Sequence, residues 1–343
     1  MKRQVVYILE EATYPQWDKL LKQCNKTNLL QAWEYGEAKR IVEGWGPIRY
    51  VVLDGSEPVG LVQVLNKLLP LFGGFTRINR GPLFLCDTVN RDTLNEIVEN
   101  TLLALYREIV EKKGYCLAIA PEIEQSEEID QMLERLGFQA AGGTCWSSSV
   151  VDLLLSENDL FRDLRGKWRN LLRKSEKMGL ELEQTCTDEA MGFLMEKYCY
   201  MQKEKGFAGV PKNILMELRR LIQPADRMQI LFAQKNGIRI AGILVVGHGD
   251  SCTYLVGWNT PDGRQLQANY FLLWQAVMSF RHTGYRWFDL GGVDREITPN
   301  IAHFKTGLGG DNYRLAGEWL AAKHSWMPLG LKVVNKFRKV FSG

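Results

Sequence analysis

One pattern occurs twice in this chain and constrains its fold more than any other feature. Leu53-Asp54-Gly55 followed by Val59-Gly60-Leu61-Val62 returns as Lys235-Asn236-Gly237 followed by Ala241-Gly242-Ile243-Leu244, offset by 182 at both glycines. Each copy reads as an apolar strand, a tight turn and a second apolar strand. A second landmark follows each. A helix that ends in Gly114-Tyr115 and leads into a strand is matched by one that ends in Gly284-Tyr285, now offset by 170. Two ordered landmarks point to two related halves, each with antiparallel strands, then a helix, then a strand. The drop in offset gives the first half about twelve extra residues, expected in the Asn66–Asp92 region because loops accept insertions. At 343 residues the chain has the length for two cores.

Alternating strand and helix patterns fill the rest, so the expected class is α/β with mixed sheets. Strands are expected at Val5–Leu9, Arg49–Leu53, Val59–Leu65, Phe75–Ile78, Tyr115–Ala120 and Ser149–Leu154. Later ones are expected at Gln229–Ala233, Ile238–Val246, Cys252–Val256 and Trp287–Leu290. Helices are expected from Thr13 to about Gln23, over Trp33–Ile41, Thr93–Lys112 and Glu127–Leu136, and, basic in character, over Lys167–Met178. Further helices are expected over Asp188–Lys205, Lys212–Ile222 and Ala268–Arg281. Ser156 with Asp159 resembles a capping box. The domains are read as 1–148 and 149–314, with 315–343 returning to the first.

Charge and cysteine exclude several classes. The net charge is only +3, against a protein dedicated to coating nucleic acid. Seven cysteines (Cys24, Cys86, Cys116, Cys145, Cys186, Cys199, Cys252) form no Cys-x-x-Cys pair and are odd in number, which fits buried thiols in a reducing compartment. His248, His282, His303 and His324 have no metal spacing. There is no Gly-x-Ser-x-Gly and no Walker loop. No segment has the length and apolarity to span a bilayer, so a cytoplasmic protein is expected. The C-terminal run Trp326–Phe341 mixes Leu, Val and Phe with Lys332, Lys336, Arg338 and Lys339. It reads either as a packed terminal helix or as a basic amphipathic helix in peripheral contact with anionic lipid.

Chemistry concentrates near residue 300. Trp287-Phe288-Asp289-Leu290-Gly291-Gly292-Val293 is a short strand ending in paired glycines. Ile301-Ala302-His303-Phe304-Lys305-Thr306-Gly307-Leu308-Gly309-Gly310 follows. Paired glycines let backbone approach a ligand closely. The lysine between the two glycine turns can hold a developing negative charge.

The order of antiparallel strands, glycine turn, helix and strand is that of a GNAT acyltransferase. In that fold an Arg/Gln-x-x-Gly-x-Gly/Ala loop cradles the coenzyme A pyrophosphate. The corresponding stretch is Arg264-Gln265-Leu266-Gln267-Ala268-Asn269, where Gln267 replaces the inner glycine. In the first half no such loop is recognisable. That departure weighs against coenzyme A.

More specifically, the chain resembles the FemABX family, aminoacyltransferases built on two tandem GNAT-like domains. Leu30-Gln31-Ala32-Trp33-Glu34-Tyr35-Gly36-Glu37-Ala38-Lys39 resembles its early Trp/Gly/Lys motif. Asn79-Arg80-Gly81-Pro82-Leu83 resembles its Pro-Arg-Gly-Pro turn. The run from Arg169 to Gly179 resembles its basic helix. Phe288-Asp289-Leu290-Gly291-Gly292 and Phe304-Lys305-x-x-Leu308-Gly309-Gly310 resemble its closing signature. The matches run in order from about residue 30 to 310.

The resemblance implies aminoacyl-tRNA as donor and an amine of a peptidoglycan precursor, lipid II or a nucleotide-linked muropeptide, as acceptor, held in a cleft between the domains. It implies no metal and no organic cofactor. It casts Lys305 as the catalytic residue, stabilising the tetrahedral oxyanion. Trp33, Lys39, Arg169, Tyr254, Phe304 and Lys212 are cast as substrate-binding, with Lys39 on acceptor phosphate. Two departures bear on the acceptor. Ala120-Pro121 stands where the family has Asp-Pro, and Lys212 stands for an arginine, a point charge in place of a fork. Two other readings stay open. One is an N-acyltransferase that uses acyl-CoA or acyl carrier protein on an amino sugar or amino acid. The other is a catalytically silent binding module of the cell-wall machinery.

Overall fold

The computed structural model describes residues 7–69, 73–85, 91–143, 145–206, 209–293, 296 and 298–323. In chain order the first elements are β1 (Ile8–Glu11), α1 (Tyr14–Leu21), α2 (Trp33–Glu43), β2 (Gly46–Asp54), β3 (Glu57–Leu69) and β4 (Gly73–Asn79). Then come β5 (Leu83–Phe84), α3 (Arg91–Leu105) running into a π segment (Tyr106–Lys112), β6 (Cys116–Ala120), α4 (Glu127–Arg135) and β7 (Gln139–Ala140). The next group is β8 (Ser147–Asp152), α5 (Glu157–Asp163), α6 (Gly166–Glu176), β9 (Glu181–Thr185), α7 (Asp188–Lys205) and α8 (Lys212–Leu221). It continues with β10 (Met228–Lys235), β11 (Ile238–His248), β12 (Ser251–Asn259), α9 (Pro261–Gln265) and α10 (Ala268–His282). The last are β13 (Trp287–Asp289), α11 (Pro299–Thr306), β14 (Asp311–Arg314) and β15 (Trp319–Ala321).

Local chemistry sets the boundaries. Thr13 sits at the N-cap of α1 with Pro15 in its first turn. The Ser126 hydroxyl accepts from Ile129 N–H at the head of α4, and Ser156 does the same for Asp159 at α5. Asn236 and Gly237 both take positive φ (53° and 75°), the turn that matches strand twist in a two-residue hairpin.

The chain divides into two compact units. One comprises residues 1–25, 30–146 and 314–343, the other 26–29 and 147–313. Each holds one mixed sheet, in the order β1-β2-β3-β4-β6-β15-β7 (with β5 on β3) and β14-β8-β13-β12-β11-β10-β9. The plan is the same in both. A meander (β2-β3-β4 or β10-β11-β12) is followed by a helix (α3 or α10). A strand then lies parallel to the last of the meander, β6 on β4 and β13 on β12. The repeated sequence pattern falls on the two corresponding hairpins, and both carry a register shift beside the turn. The strand after β7 in sequence, β8, pairs with β13 of the second sheet, while β15 pairs with β6 of the first.

The cores are apolar and separate. In the first unit Val62, Val64, Ile78, Leu102, Leu105, Leu117 and Leu133 pack one face of the sheet. Trp17, Leu21, Val51 and Leu61 pack the other. In the second, Leu231, Ile243, Val245, Leu272, Phe280, Phe288 and Leu172 form one cluster. Burial of such side chains contributes about 1.5–3 kcal/mol each.

Several expectations are corrected. The first strand is Ile8–Glu11, displaced from Val5–Leu9, whose first two residues lie outside the described set. The extra length of the first half is not all in the Asn66–Asp92 region. The α3 helix (15 residues) continues through a seven-residue π segment where α10 has 15 residues alone, so seven of the twelve residues extend the helix. The polar edge strand β9, whose Leu182 is exposed, carries no apolar alternation and was not expected. Neither were the two- to four-residue strands β5, β7, β14 and β15, nor α9 and α11. The C-terminal run Trp326–Phe341 lies outside the described residues.

Candidate functional site

The second unit gathers the chemistry. Strand β12 pairs with β13 only over Ser251–Thr253 against Trp287–Asp289. Beyond that the chain after β13 follows β8, with Leu290 N–H on Ser149 carbonyl (3.0 Å) and Val293 N–H on Ser147 carbonyl (2.8 Å). Gly291 and Gly292 thus bulge out opposite the single residue Ser148. Gly291 needs its missing Cβ. Its φ is +68°, and a Cβ there would lie 2.6 Å from Tyr254 carbonyl oxygen.

Lys305 lies in the last turn of α11 and is buried, 9% exposed. Its ammonium donates to Gly292 carbonyl at 2.9 Å and sits 5.2 Å from the centre of the Tyr254 ring. Burial lowers its pKa to about 8, with the Asp289 carboxylate opposing the fall. Two of its three N–H groups have no acceptor among the described residues. A buried ammonium with spare donors is fit to meet an anion that forms beside it.

Tyr254 is buried on β12, and burial raises its hydroxyl pKa well above the ordinary value. Phe304, half-buried, packs edge-on against Tyr270 (5.0 Å) and stacks on Trp168 (6.3 Å). The Trp168 indole N–H donates to Phe304 carbonyl at 3.0 Å, and Arg165 N–H donates to Gly307 carbonyl at 3.0 Å. The first turn of α6 is therefore tied to the helix that carries Lys305. Lys305, Tyr254 and Phe304 come together here.

The remaining expected residues lie elsewhere. Arg169 donates to Leu164 (2.9 Å) and Arg162 (3.1 Å) carbonyls at the end of α5, and its Nε is buried without a partner among the described residues. Lys212 is exposed at the head of α8. In the first unit, Lys39 is ion-paired with Glu43 one turn on. Trp33 opens α2 beneath the Arg49 guanidinium, 3.7 Å from its ring centre.

The motif around Trp33 is a polar lock. The Gln31 side chain takes Gln63 N–H on its oxygen (2.7 Å) and donates to Asn79 carbonyl (2.8 Å). Arg49 donates to Gln63 Oε1 (2.8 Å) and Trp33 carbonyl (2.8 Å). A Cβ at Gly36 would lie 2.1 Å from Gln63 Oε1. Arg80 forks onto Glu122 at 2.6–2.7 Å.

Three residues of the Lys305 site, Asp289, Ser148 and Tyr313, are not among those the sequence points to. Asp289 is buried and accepts from Gly291 N–H (2.8 Å) and Tyr313 hydroxyl (3.0 Å), with Ser148 Oγ 2.5 Å away. The available signal was an acid within apolar Trp-Phe-Asp-Leu. Gln267 takes a left-handed φ of 60° at the start of α10, a conformation natural to the glycine of a pyrophosphate loop. No cluster of His, Cys, Asp or Glu among the described residues could hold a metal. No helix among them is long and apolar enough to cross a membrane.

The matching family model is that of an acetyltransferase (GNAT) domain, over residues 162–306. The chain is 24% identical to a lipid II:glycine glycyltransferase of Staphylococcus haemolyticus (strain JCSC1435), over 85% of this chain and 86% of the relative. It is 20% identical to the protein of that name from Staphylococcus epidermidis (strain ATCC 12228 / FDA PCI 1200), with the same coverage. The solved structure of FemX superposes with a TM-score of 0.76 at 17% identity, covering 95% of this chain and all of that one. A tandem GNAT protein from the clavulanic acid biosynthesis pathway superposes at 0.51 and 12% identity, covering 93% of this chain and 98% of that one. Fold and site together define an acyltransferase on two GNAT-like domains. Within that class, the chain is similar to members of the FemABX family.

Proposed function

We propose that this protein transfers an amino acid from aminoacyl-tRNA to an amine of a peptidoglycan precursor. The observation that carries the reading is the Lys305 ammonium, buried on α11 beside the Gly291–Gly292 bulge with two N–H groups that have no acceptor among the described residues. The acceptor amine attacks the aminoacyl ester carbon, and a C–N bond forms. The tetrahedral oxyanion develops next to Lys305, which stabilises it by charge and hydrogen bonding. The C–O bond to the ribose then breaks, and the proton lost by the amine ends on the departing hydroxyl.

The acceptor class rests on the names of the staphylococcal relatives, both lipid II:glycine glycyltransferases. The donor class rests on two features. Gln267 occupies the position where coenzyme A binding calls for glycine. On α5–α6, Arg165, Lys167, Arg173, Lys174 and Lys177 are exposed and make no ion pair with any described residue. Exposed cations on a helix tied to the one that carries Lys305 suit a phosphate backbone leading into the site.

The test is a substrate panel. Purified protein receives either a mixture of charged tRNAs or a set of acyl-CoAs, each with lipid II or its soluble nucleotide precursor. Mass spectrometry should find the precursor heavier by one amino acid with charged tRNA only. Acylation from coenzyme A thioesters alone would favour the N-acyltransferase reading.

A further inference from the structure

Asp289 has no part in the chemistry above, yet its surroundings are built with care. It ends β13 and is only 4% exposed. A lone buried carboxylate is costly unless it is hydrogen-bonded and faced by positive charge. Both conditions are met. Its Oδ1 accepts Gly291 N–H at 2.8 Å and its Oδ2 accepts the Tyr313 hydroxyl at 3.0 Å. The buried Ser148 Oγ lies 2.5 Å from Oδ1 and 2.8 Å from Gly291 carbonyl oxygen, so its one proton serves either acceptor.

These bonds converge on the two-glycine bulge. Gly291 is held through its N–H by Asp289 and through its carbonyl by Ser148. The next carbonyl, that of Gly292, receives the Lys305 ammonium. Glycine pairs are the most mobile of backbones. Without the carboxylate nothing on β13 fixes where the Gly292 carbonyl points.

We propose that Asp289 is the positioning residue for Lys305, fixing the bulge whose carbonyl binds the ammonium and supplying the countercharge that keeps this ammonium protonated inside the unit. The proposal rests on the reading of Lys305 as a charged group of the acyl transfer. The other titratable groups around it, among the described residues, are Tyr254 on β12 and, through Asp289, Tyr313 on β14 and Cys252 on β12. Burial raises the Tyr254 hydroxyl and the Cys252 thiol, which keeps both neutral near pH 7, so among the described residues Asp289 is the one negative charge that faces the lysine. Burial alone pulls the ammonium down, and Asp289 acts against it.

The experiment is an NMR titration of lysine-labelled protein, with the Lys305 signal assigned by its loss in Lys305→Met. The parent should titrate near 8. In Asp289→Asn the midpoint should fall by at least about one unit. In turnover assays the alkaline limb should move down with it, kcat at pH 7.5 should drop about threefold or more, and KM should stay. An unmoved midpoint in folded Asp289→Asn overturns the proposal. If Asp289→Asn does not fold, Tyr313→Phe decides. It leaves the charge and removes one anchor, so kcat should fall several-fold with the alkaline limb unmoved. Parent-like kcat in that variant overturns the proposal instead. The titration reads Lys305 whatever the acyl donor, so failure of the aminoacyl-tRNA assignment would show separately, as absent turnover with an intact shift.

Discussion

Lys305→Met should lose activity and gain stability at neutral pH. The parent ammonium falls from its ordinary 10.5 to about 8 on folding, chiefly through burial. At about 1.4 kcal/mol per pH unit, holding it charged costs the folded state about 3 kcal/mol. Below pH 8 both folded and unfolded chains carry the proton, and the full cost stands. Between 8 and 10.5 the unfolded chain still binds it and the folded chain does not, so stability rises with pH. Methionine removes the charge but forfeits the hydrogen bond to Gly292, worth about 1.5 kcal/mol. The net gain at pH 7 is then about 1–2 kcal/mol. A firmer number is the change in the difference, which should shrink by about 2 kcal/mol between pH 7 and 9.5 as the parent gains. Urea unfolding of both proteins at several pH values, followed by circular dichroism, measures it. A parent–variant difference that stays flat with pH would refute the picture of Lys305 as a buried ammonium.

Three further outcomes are expected. Lys174→Glu with Lys177→Glu should weaken binding of uncharged tRNA and lower its salt slope by about two to four, leaving the fold unchanged; filter binding at three salt concentrations reads both. Calorimetry with acetyl-CoA should show no micromolar complex, which would correspond to about −8 kcal/mol, because Gln267 fills the glycine position. Gly36→Ala should destabilise the first unit by about 1–3 kcal/mol, since its Cβ meets Gln63 Oε1 and Arg49 Nη2; the thermal midpoint reports it.

The sequence made the repeated plan legible because its landmarks are turns. Asn236-Gly237 and Gly284 fix chain direction by backbone conformation, which leaves a mark in residue type. The return of the chain after about residue 314 to the first unit was expected, but the pairing of β15 with β6 and of β13 with β8 left no such mark, because a three-residue strand carries too little alternation to read. Lys305 was legible through its glycines, and Phe304 and Tyr254 meet it within one unit. Asp289 was passed over because the apolar residues on either side read as plain strand. Its meaning comes from Ser148 and Tyr313, which are distant in sequence and adjacent only in the sheet. Helix α11, too, was hidden by glycines that read as turns, although Lys305 takes its burial from that helix.

The most direct test of the account is single-turnover transfer from aminoacyl-tRNA to lipid II by the parent and by Lys305→Ala, with calorimetric melting of both. The rate should fall by about two to three orders of magnitude with melting preserved or raised. A variant that melts like the parent and transfers like the parent would remove Lys305 from the active site and contradict the account.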